Sequence, residues 1–566
     1  MPALTEPTDT AAGSPPPHPS GRITLSQGQR EAIALGIAAL VFLVPLRGLL
    51  RAQGPPMEEG FMLVFPERVL AGDIPNRDFL HLYGPGSLWA LAGTFKVFGV
   101  SLVTERLFGL AQQMAVVFGI YALARPWGRR VAVCCALTSG LILVPFGLTA
   151  LAWVGAVGLG LLGLVAGLRA RRTKDDRRAR PWAVAAGLLF GGALLFRLDL
   201  VVAIGLATVV LLWGARRSRV TWLLVGLAVG LSPYLVHLAT AGPGNVVQGM
   251  LLDPVFELRG GRSLPVPPSW GRLDGFLQRA GALEQLDWPI PALRLSQQLF
   301  VWFFLLLATV AFLVAVAVWR MRAAPTSARA RALLVVAVFS AGLLPQAVQR
   351  VDSAHFAWVG CVPFGFLPVA ILEVARRRVP GVPVQRLALA SGFAVLALIA
   401  LAVPAFTART YADYSAQTFG IHRTAHRIER EGRVFYYGKP DRAAAAQLVI
   451  DETARISEPG DRLFVGPANL RKTPYSDAYL YYMLPELDPA TFYIEMDPGV
   501  ANEEGSGLAE DLASADLAIL SSIWDDWDEP NDSRMVGSDA AERVLEEQFC
   551  LVGSYLDRYE LYRKCR

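Results

Sequence analysis

Apolar residues form long unbroken runs through the first 407 positions of this chain and short alternating runs beyond them. A bilayer core takes about 20 apolar residues per helix. Eleven runs come near that length: 32–50, 101–124, 131–147, 149–168, 182–198, 200–214, 220–239, 298–319, 331–346, 355–375 and 386–407. After them the pattern changes. Asp461–Val465, Asp516–Leu520 and Tyr555–Tyr562 read as strands, and Ala443–Ile456, Ser476–Leu484, Gly507–Ser514 and Ala540–Phe549 as helices, which predicts a small α/β domain. Residues 1–28, rich in Pro, Ser and Thr, read as a disordered tail. The expected organisation is that tail, a polytopic α-helical membrane domain over 29–407, and an α/β domain over 408–566.

Composition agrees with this division. Of 566 residues, 53% are hydrophobic and 18% charged, against about 45–50% and about 25% in soluble domains. A single soluble core, a disordered chain and a collagen-like chain are excluded. The formal charge of +5 hides a split: residues 411–566 hold 16 basic and 29 acidic groups, a net of −13, which leaves +18 before them. The basic excess falls in clusters between apolar runs: Arg125/Arg129/Arg130, Arg169 through Arg180, Arg216/Arg217/Arg219, Arg320/Arg322/Arg329/Arg331, and Arg376/Arg377/Arg378 with Arg386. It is therefore an orienting signal, and no nucleic-acid partner is expected. If every cluster is cytoplasmic, the runs pair off between clusters, the N-terminus is inside, and an odd number of spans puts 408–566 outside the cytoplasmic membrane. Loops 51–100 and 240–297 and the stretch 346–355 are then external too. Within the first loop, Phe61–Ala71 and Gly86–Phe98 suit helices lying along the outer interface. Five cysteines are too few for a disulfide framework, but Cys550 and Cys565 can pair if the last domain is extracytoplasmic.

Polar chemistry gathers on that outer side. Glu58 and Glu59 follow the first run, and Arg68, Asp73, Arg77, Asp78, His81 and Tyr83 crowd the same loop beside the turn Gly84-Pro85-Gly86. A carboxylate here suits a general base acting on a hydroxyl. Arg197 and Asp199 interrupt an apolar stretch, and Gln346, Gln349, Arg350, Asp352 and His355 interrupt another. Charges at membrane depth tend to face polar cavities, and an arginine there can hold a phosphate through a bidentate contact. Each group also has a plain reading as an interface marker, a local ion pair or a structural histidine. Gly158-x-Gly160-x-x-Gly163 lies inside an apolar span with no preceding strand, so helix packing explains it better than a nucleotide. No P-loop, HExxH or CxxC motif is present, and Asn531-Asp532-Ser533 is a formal glycosylation sequon. Tyr475, Tyr479, Tyr481 and Tyr482 suit core packing more than sugar stacking.

In the first loop, Glu58-Glu59-Gly60, then Gly72-Asp73-Ile74-Pro75-Asn76-Arg77-Asp78-Phe79, then His81 and Tyr83-Gly84-Pro85-Gly86, the chain resembles the polytopic GT-C glycosyltransferases, in particular the relatives of protein O-mannosyltransferases and aminoarabinose transferases. It departs in having Glu58 where Asp is commonest and Asn76 where Tyr is usual. The resemblance implies a polyprenyl-phosphate-linked sugar as donor, bound from the outer leaflet, and an inverting hexosyl or pentosyl transfer to a hydroxyl of a glycan, lipid or protein. Glu58 or Glu59 would be the catalytic base. Arg77, Arg197, Arg350 or His355 would supply positive charge to the donor phosphate, with Asp78, His81, Tyr83 and Asp199 as further substrate-binding candidates. No cofactor is required outright; a divalent metal bridging Glu58 or Glu59 to the phosphate is compatible with these residues. Two other readings stay open at this point: a lipid-linked-sugar flippase or transporter, and a non-catalytic envelope scaffold.

Overall fold

The computed structural model describes residues 25–258, 287–421, 425–525 and 537–565. Positions 1–24 of the expected tail, part of the 240–297 loop and the Asn531 sequon lie outside them. The first helix begins at Gln27, ahead of the apolar run, because Ser26 caps it: the Ser26 hydroxyl accepts from Gln29 N at 3.2 Å and Gln29 Oε1 accepts from Ser26 N at 2.8 Å.

Among the described residues, ten helices are long and apolar enough to cross a membrane: Gln27–Leu49, Leu102–Trp127, Arg129–Phe146, Ala152–Arg172, Asp176–Phe196, Arg217–Ala241, Leu295–Ala323, Ala328–Gln349, Ser353–Arg378 and Val384–Ala402. An eleventh apolar helix, Leu198–Leu212, is shorter. They correspond one for one to the eleven runs. Several extend further than the apolar pattern because basic residues continue the last turn, as Arg169, Arg171 and Arg172, Arg320 and Arg322, and Arg376 through Arg378 do. Positive charge there complements the helix dipole, and the long stems reach toward the interface. Small residues set the closest helix contacts. A Cβ on Gly187 would sit 2.0 Å from the Leu223 carbonyl oxygen, and one on Gly163 would sit 2.6 Å from the Phe190 ring.

The first loop holds two helices, Glu58–Ala71 and Pro85–Phe98. The second keeps the one-sided pattern expected of it, with Leu88, Leu91 and Phe95 buried and Val97 and Phe98 exposed. The first does not lie on a lipid surface. Glu59 through Pro66 are all buried, because the C-terminal domain packs over them. Phe61, Met62 and Phe65 share a core with Tyr475, Tyr479 and Tyr482. Glycine is needed at position 60 for this approach: a Cβ would lie 2.3 Å from Tyr479 N. Glu67 clamps the contact by accepting two bonds from Arg433, at 2.8 and 2.7 Å.

That domain holds an antiparallel hairpin, β1 (His426–Arg430) with β2 (Arg433–Tyr437), and a five-stranded sheet. The sheet runs β4 (Asp488–Pro489), β3 (Arg462–Pro467), β5 (Leu517–Ser521), β7 (Tyr559–Lys564), β6 (Phe549–Tyr555), parallel from β4 to β5 and antiparallel after it. The single strand expected over Tyr555–Tyr562 is corrected to two. Leu556 and Asp557 turn with φ of 52° each, and Phe549, expected at a helix end, starts β6. Cys550 and Cys565 form a disulfide across this last hairpin, with Cα atoms 5.2 Å apart. Tyr475, Tyr479, Tyr481 and Tyr482 are all buried, and Tyr479 stacks on Phe435 at 4.2 Å between ring centres.

Candidate functional site

The two adjacent glutamates part company at the start of their helix, since consecutive side chains point about a quarter-turn apart. Glu59 turns into the protein. Arg106 grips it in bidentate fashion, Nε to Oε1 at 2.8 Å and Nη2 to Oε2 at 2.7 Å, while Nη1 donates to the Leu49 carbonyl at 3.2 Å. The pair is 1% and 2% exposed, and the Gly54 backbone closes over it. Glu58 turns the other way and is half-buried. The Tyr475 hydroxyl donates to its Oε2 and accepts from Met57 N at 3.1 Å. Burial and then the Glu58 carboxylate push the Tyr475 hydroxyl well up, so it keeps its proton and remains the donor.

Around Glu58 the fold assembles groups from four distant stretches. Tyr83, at the end of the first loop, donates to Glu495 of the C-terminal domain at 3.2 Å. Arg197 stacks over Tyr83 at 4.4 Å and over Trp153 at 5.2 Å, and Asp199 accepts from it at 3.1 and 2.7 Å. The geometry of this pair follows from the break at Arg197, where the Asp176–Phe196 helix ends in extended backbone. Arg350 ends the Ala328–Gln349 helix in the same way, lies 3.3 Å from Asp352, and its charge is felt at both Tyr83 and Glu495. Glu495 is 4% exposed. Burial, then Asp497 and then Glu58 push its carboxyl well above the usual range. Glu58 is thus a half-open carboxylate with Tyr475 on one side and, in the same region, the Tyr83–Glu495 pair. Sequence reasoning missed Glu495 and Asp497. Only a Tyr83-to-domain contact signals them, and no local pattern carries it.

Other expected site residues are placed differently. Arg77 and Asp78 hold each other at 2.9 and 2.8 Å on the loop surface, and Asp78 also accepts from Ile74 N; they brace the turn. His355 bonds Asp352 at 2.8 Å and packs on Trp358. Burial pushes the Asp352 carboxyl up, but His355 and Arg350 together outweigh this and hold it down at about 2. His81 is a core residue, ringed by Phe65, Phe79 and Tyr83 with centroids 5.7, 6.4 and 5.6 Å away.

His81 carries a pH prediction. Burial, its leading cause, lowers the native imidazole to about 3, against about 6.5 in an unfolded chain. A depressed histidine contributes its full stability above pH 6.5 and loses it as pH falls toward 3, because the unfolded chain takes up the proton first. At pH 5 the loss is about 2 kcal/mol. The thermal unfolding midpoint of the wild type should fall between pH 7.5 and pH 5, and that of His81→Phe should fall less. Equal falls would contradict this.

Among the described residues, no group of three or more His, Cys, Asp or Glu side chains is arranged to hold a metal ion. Glu59, one of the two residues expected to bridge a metal, has both oxygens taken by Arg106.

No protein-family model and no curated protein matches the sequence. Solved structures do match along nearly its whole length. ArnT from Cupriavidus metallidurans in the apo state superposes with a TM-score of 0.54 at 15% identity, covering 94% of this chain and 98% of that one. The same protein bound to undecaprenyl phosphate gives 0.51 at 13% identity, covering 95% and 98%. The Archaeoglobus fulgidus oligosaccharyltransferase, in complex with Zn and sulfate, gives 0.42 at 14% identity over 92% of this chain and 71% of that one. The ArnT matches run through both the bundle of spans and the C-terminal domain, and this chain is accordingly a multi-pass membrane protein with the polytopic GT-C fold.

Proposed function

We propose that this chain is a membrane glycosyltransferase that moves a sugar from a polyprenyl phosphate to an acceptor hydroxyl on the outer side of the membrane, with inversion and with Glu58 as base. The observation that carries the reading is the setting of Glu58: a half-buried carboxylate held by Tyr475 and acting on Glu495, whose partner Tyr83 lies under Arg197 and whose carboxyl also feels Arg350. A fold shared with an ArnT that binds undecaprenyl phosphate supports the donor class. Glu58 takes the proton of the acceptor hydroxyl, and the freed oxygen attacks the anomeric carbon. The bond from that carbon to the phosphate oxygen breaks, its electron pair leaving with the lipid phosphate. Arg197 and Arg350 balance the charge that appears there.

A transport role would need charges distributed through the spans, and here the candidate groups meet at one end of the bundle. Incubating the purified protein with radiolabelled polyprenyl-phosphate hexoses and pentoses and with envelope glycans should move label into a water-soluble or glycolipid product; release of none from any donor would contradict the reading. Its sidedness is checked separately. Glu546 is exposed on the C-terminal domain, Cys550 and Cys565 are paired and Cys134, Cys135 and Cys361 are buried. A Glu546→Cys variant should therefore react with a membrane-impermeant maleimide in intact cells. Reaction only after lysis would place the domain inside.

A further inference from the structure

A cavity of about 420 Å³ lies outside the Glu58 site, between the first loop, the residues after the Arg217–Ala241 span and the C-terminal domain. Its wall includes Gln248, Asp253, Glu257, Tyr493, Glu503 and Ser506. Residues Gln248–Glu257 wind as a π-helix, whose i→i+5 bonding brings side chains five apart onto one face and which is found mainly at functional sites. That winding sets Gln248 beside Asp253: Gln248 Nε2 donates to Asp253 Oδ1 at 2.5 Å. Asp253 is 7% exposed and forms part of the cavity wall. Burial pushes both Asp253 and Glu503 up, and Glu257 pushes each further.

The cavity adjoins that site through three connections. Gln349, next to Arg350, donates to the Pro254 carbonyl at 3.3 Å. Leu80 and Phe492, both on the wall, are joined by Leu80 N to Phe492 O at 2.9 Å. Three residues further along the same two segments, Tyr83 and Glu495 meet at the site, a path of at most about 11 Å. Amide, carboxyl and hydroxyl groups beside a tyrosine ring form a set that binds the hydroxyls and ring faces of sugars. Among the described wall residues, Asp253, Glu257, Glu503 and Glu504 are acidic and none is basic, which disfavours phosphate and carboxylate groups.

We propose that this cavity is the acceptor subsite, and that it takes an uncharged or amine-bearing saccharide unit of a glycan whose reacting hydroxyl extends to Glu58. The proposal rests on the transferase reading. It is tested by saturation-transfer NMR and competition titration of the full chain in lipid nanodiscs, with maltotetraose, the tetramer of glucosamine, and maltotetraose phosphate as probes. The expected result is binding of an uncharged or amine-bearing probe in preference to the phosphorylated one. That binding should weaken at least fivefold in Gln248→Ala/Glu503→Gln, a pair of exposed substitutions that spares the core, and more weakly in Asp253→Asn. It should persist in Glu58→Gln. A preference for the phosphate probe, binding indifferent to the double substitution, or no binding by any probe would overturn the assignment. Saccharide binding that survives while the wild type transfers no sugar from any polyprenyl donor would instead count against the transferase reading.

Discussion

Glu58→Gln should lower kcat/KM for sugar transfer by about 10²–10⁴, the usual contribution of a positioned general base, while donor-lipid binding and thermal stability stay near wild type. The substitution keeps the shape and a hydrogen-bond acceptor for Tyr475, so the loss would report the missing proton acceptor and not a collapsed helix. Two companion variants sharpen the result. Glu495→Gln replaces a carboxyl that burial, Asp497 and Glu58 push well up with a neutral isostere, and should remain within a few-fold of wild type; Glu495→Asp, which withdraws the group from Tyr83, should cost more. Tyr475→Phe removes the donor that aims Glu58 and should lower kcat more than it raises KM, because the hydroxyl touches the base and not the sugar. Transfer at the wild-type rate by Glu58→Gln would remove the base assignment. The measurement is initial-rate transfer from a labelled polyprenyl-phosphate sugar by purified protein, with the folded fraction checked for every variant.

The sequence carried the membrane part of this fold well and the C-terminal part partly. Spans are legible because lipid contact demands long apolar runs that few other structures need, so even the short Leu198–Leu212 helix shows. Clusters such as Arg376 through Arg378 mark helix ends. The first-loop helix at Glu58 was legible as a helix but not in its burial, since only the domain that covers it, more than 400 residues later, explains why Gly60 must lack a side chain. The β1–β2 hairpin escaped notice because its turn is Glu431-Gly432, both with positive φ, in place of the Asn-Gly or Asp-Gly pair that usually advertises such a turn. The site was legible as a set of charges gathered at one end of the spans. What could not be read was their division of labour: Glu58 and Glu59 are equivalent as letters, and their separation is a matter of helix phase and of Arg106, a residue that reads as an ordinary charge near the start of a span. Arg77, Asp78 and His81 share the loop's density of polar groups, yet they shape the loop from its surface and its core.

The second large effect follows from that division. Glu59 and Arg106 form a buried, bidentate ion pair at the base of the Glu58 helix, and removing one partner of such a pair costs about 3–5 kcal/mol because the other charge is left buried and uncompensated. Glu59→Ala and Arg106→Met should each lower the yield of monodisperse protein and the unfolding midpoint sharply. Replacing both by apolar residues should restore most of the stability, since well-packed hydrophobic substitutes are often neutral or better. Glu105 needs care in that design. It sits beside Arg106 and its Oε1 accepts from Ala150 N at 2.5 Å, so Glu105→Gln should accompany Glu59→Leu/Arg106→Met to keep that acceptor on a side chain that cannot ionise. The resulting triple variant separates structure from chemistry at the two glutamates. If Glu59 only anchors the helix, the triple variant, once folded, transfers sugar at a rate within about tenfold of wild type, the cost of a modest misplacement of Glu58. If Glu59 is the base, the triple variant folds and is as inactive as Glu58→Gln is expected to be, and the roles assigned to the two residues must be exchanged.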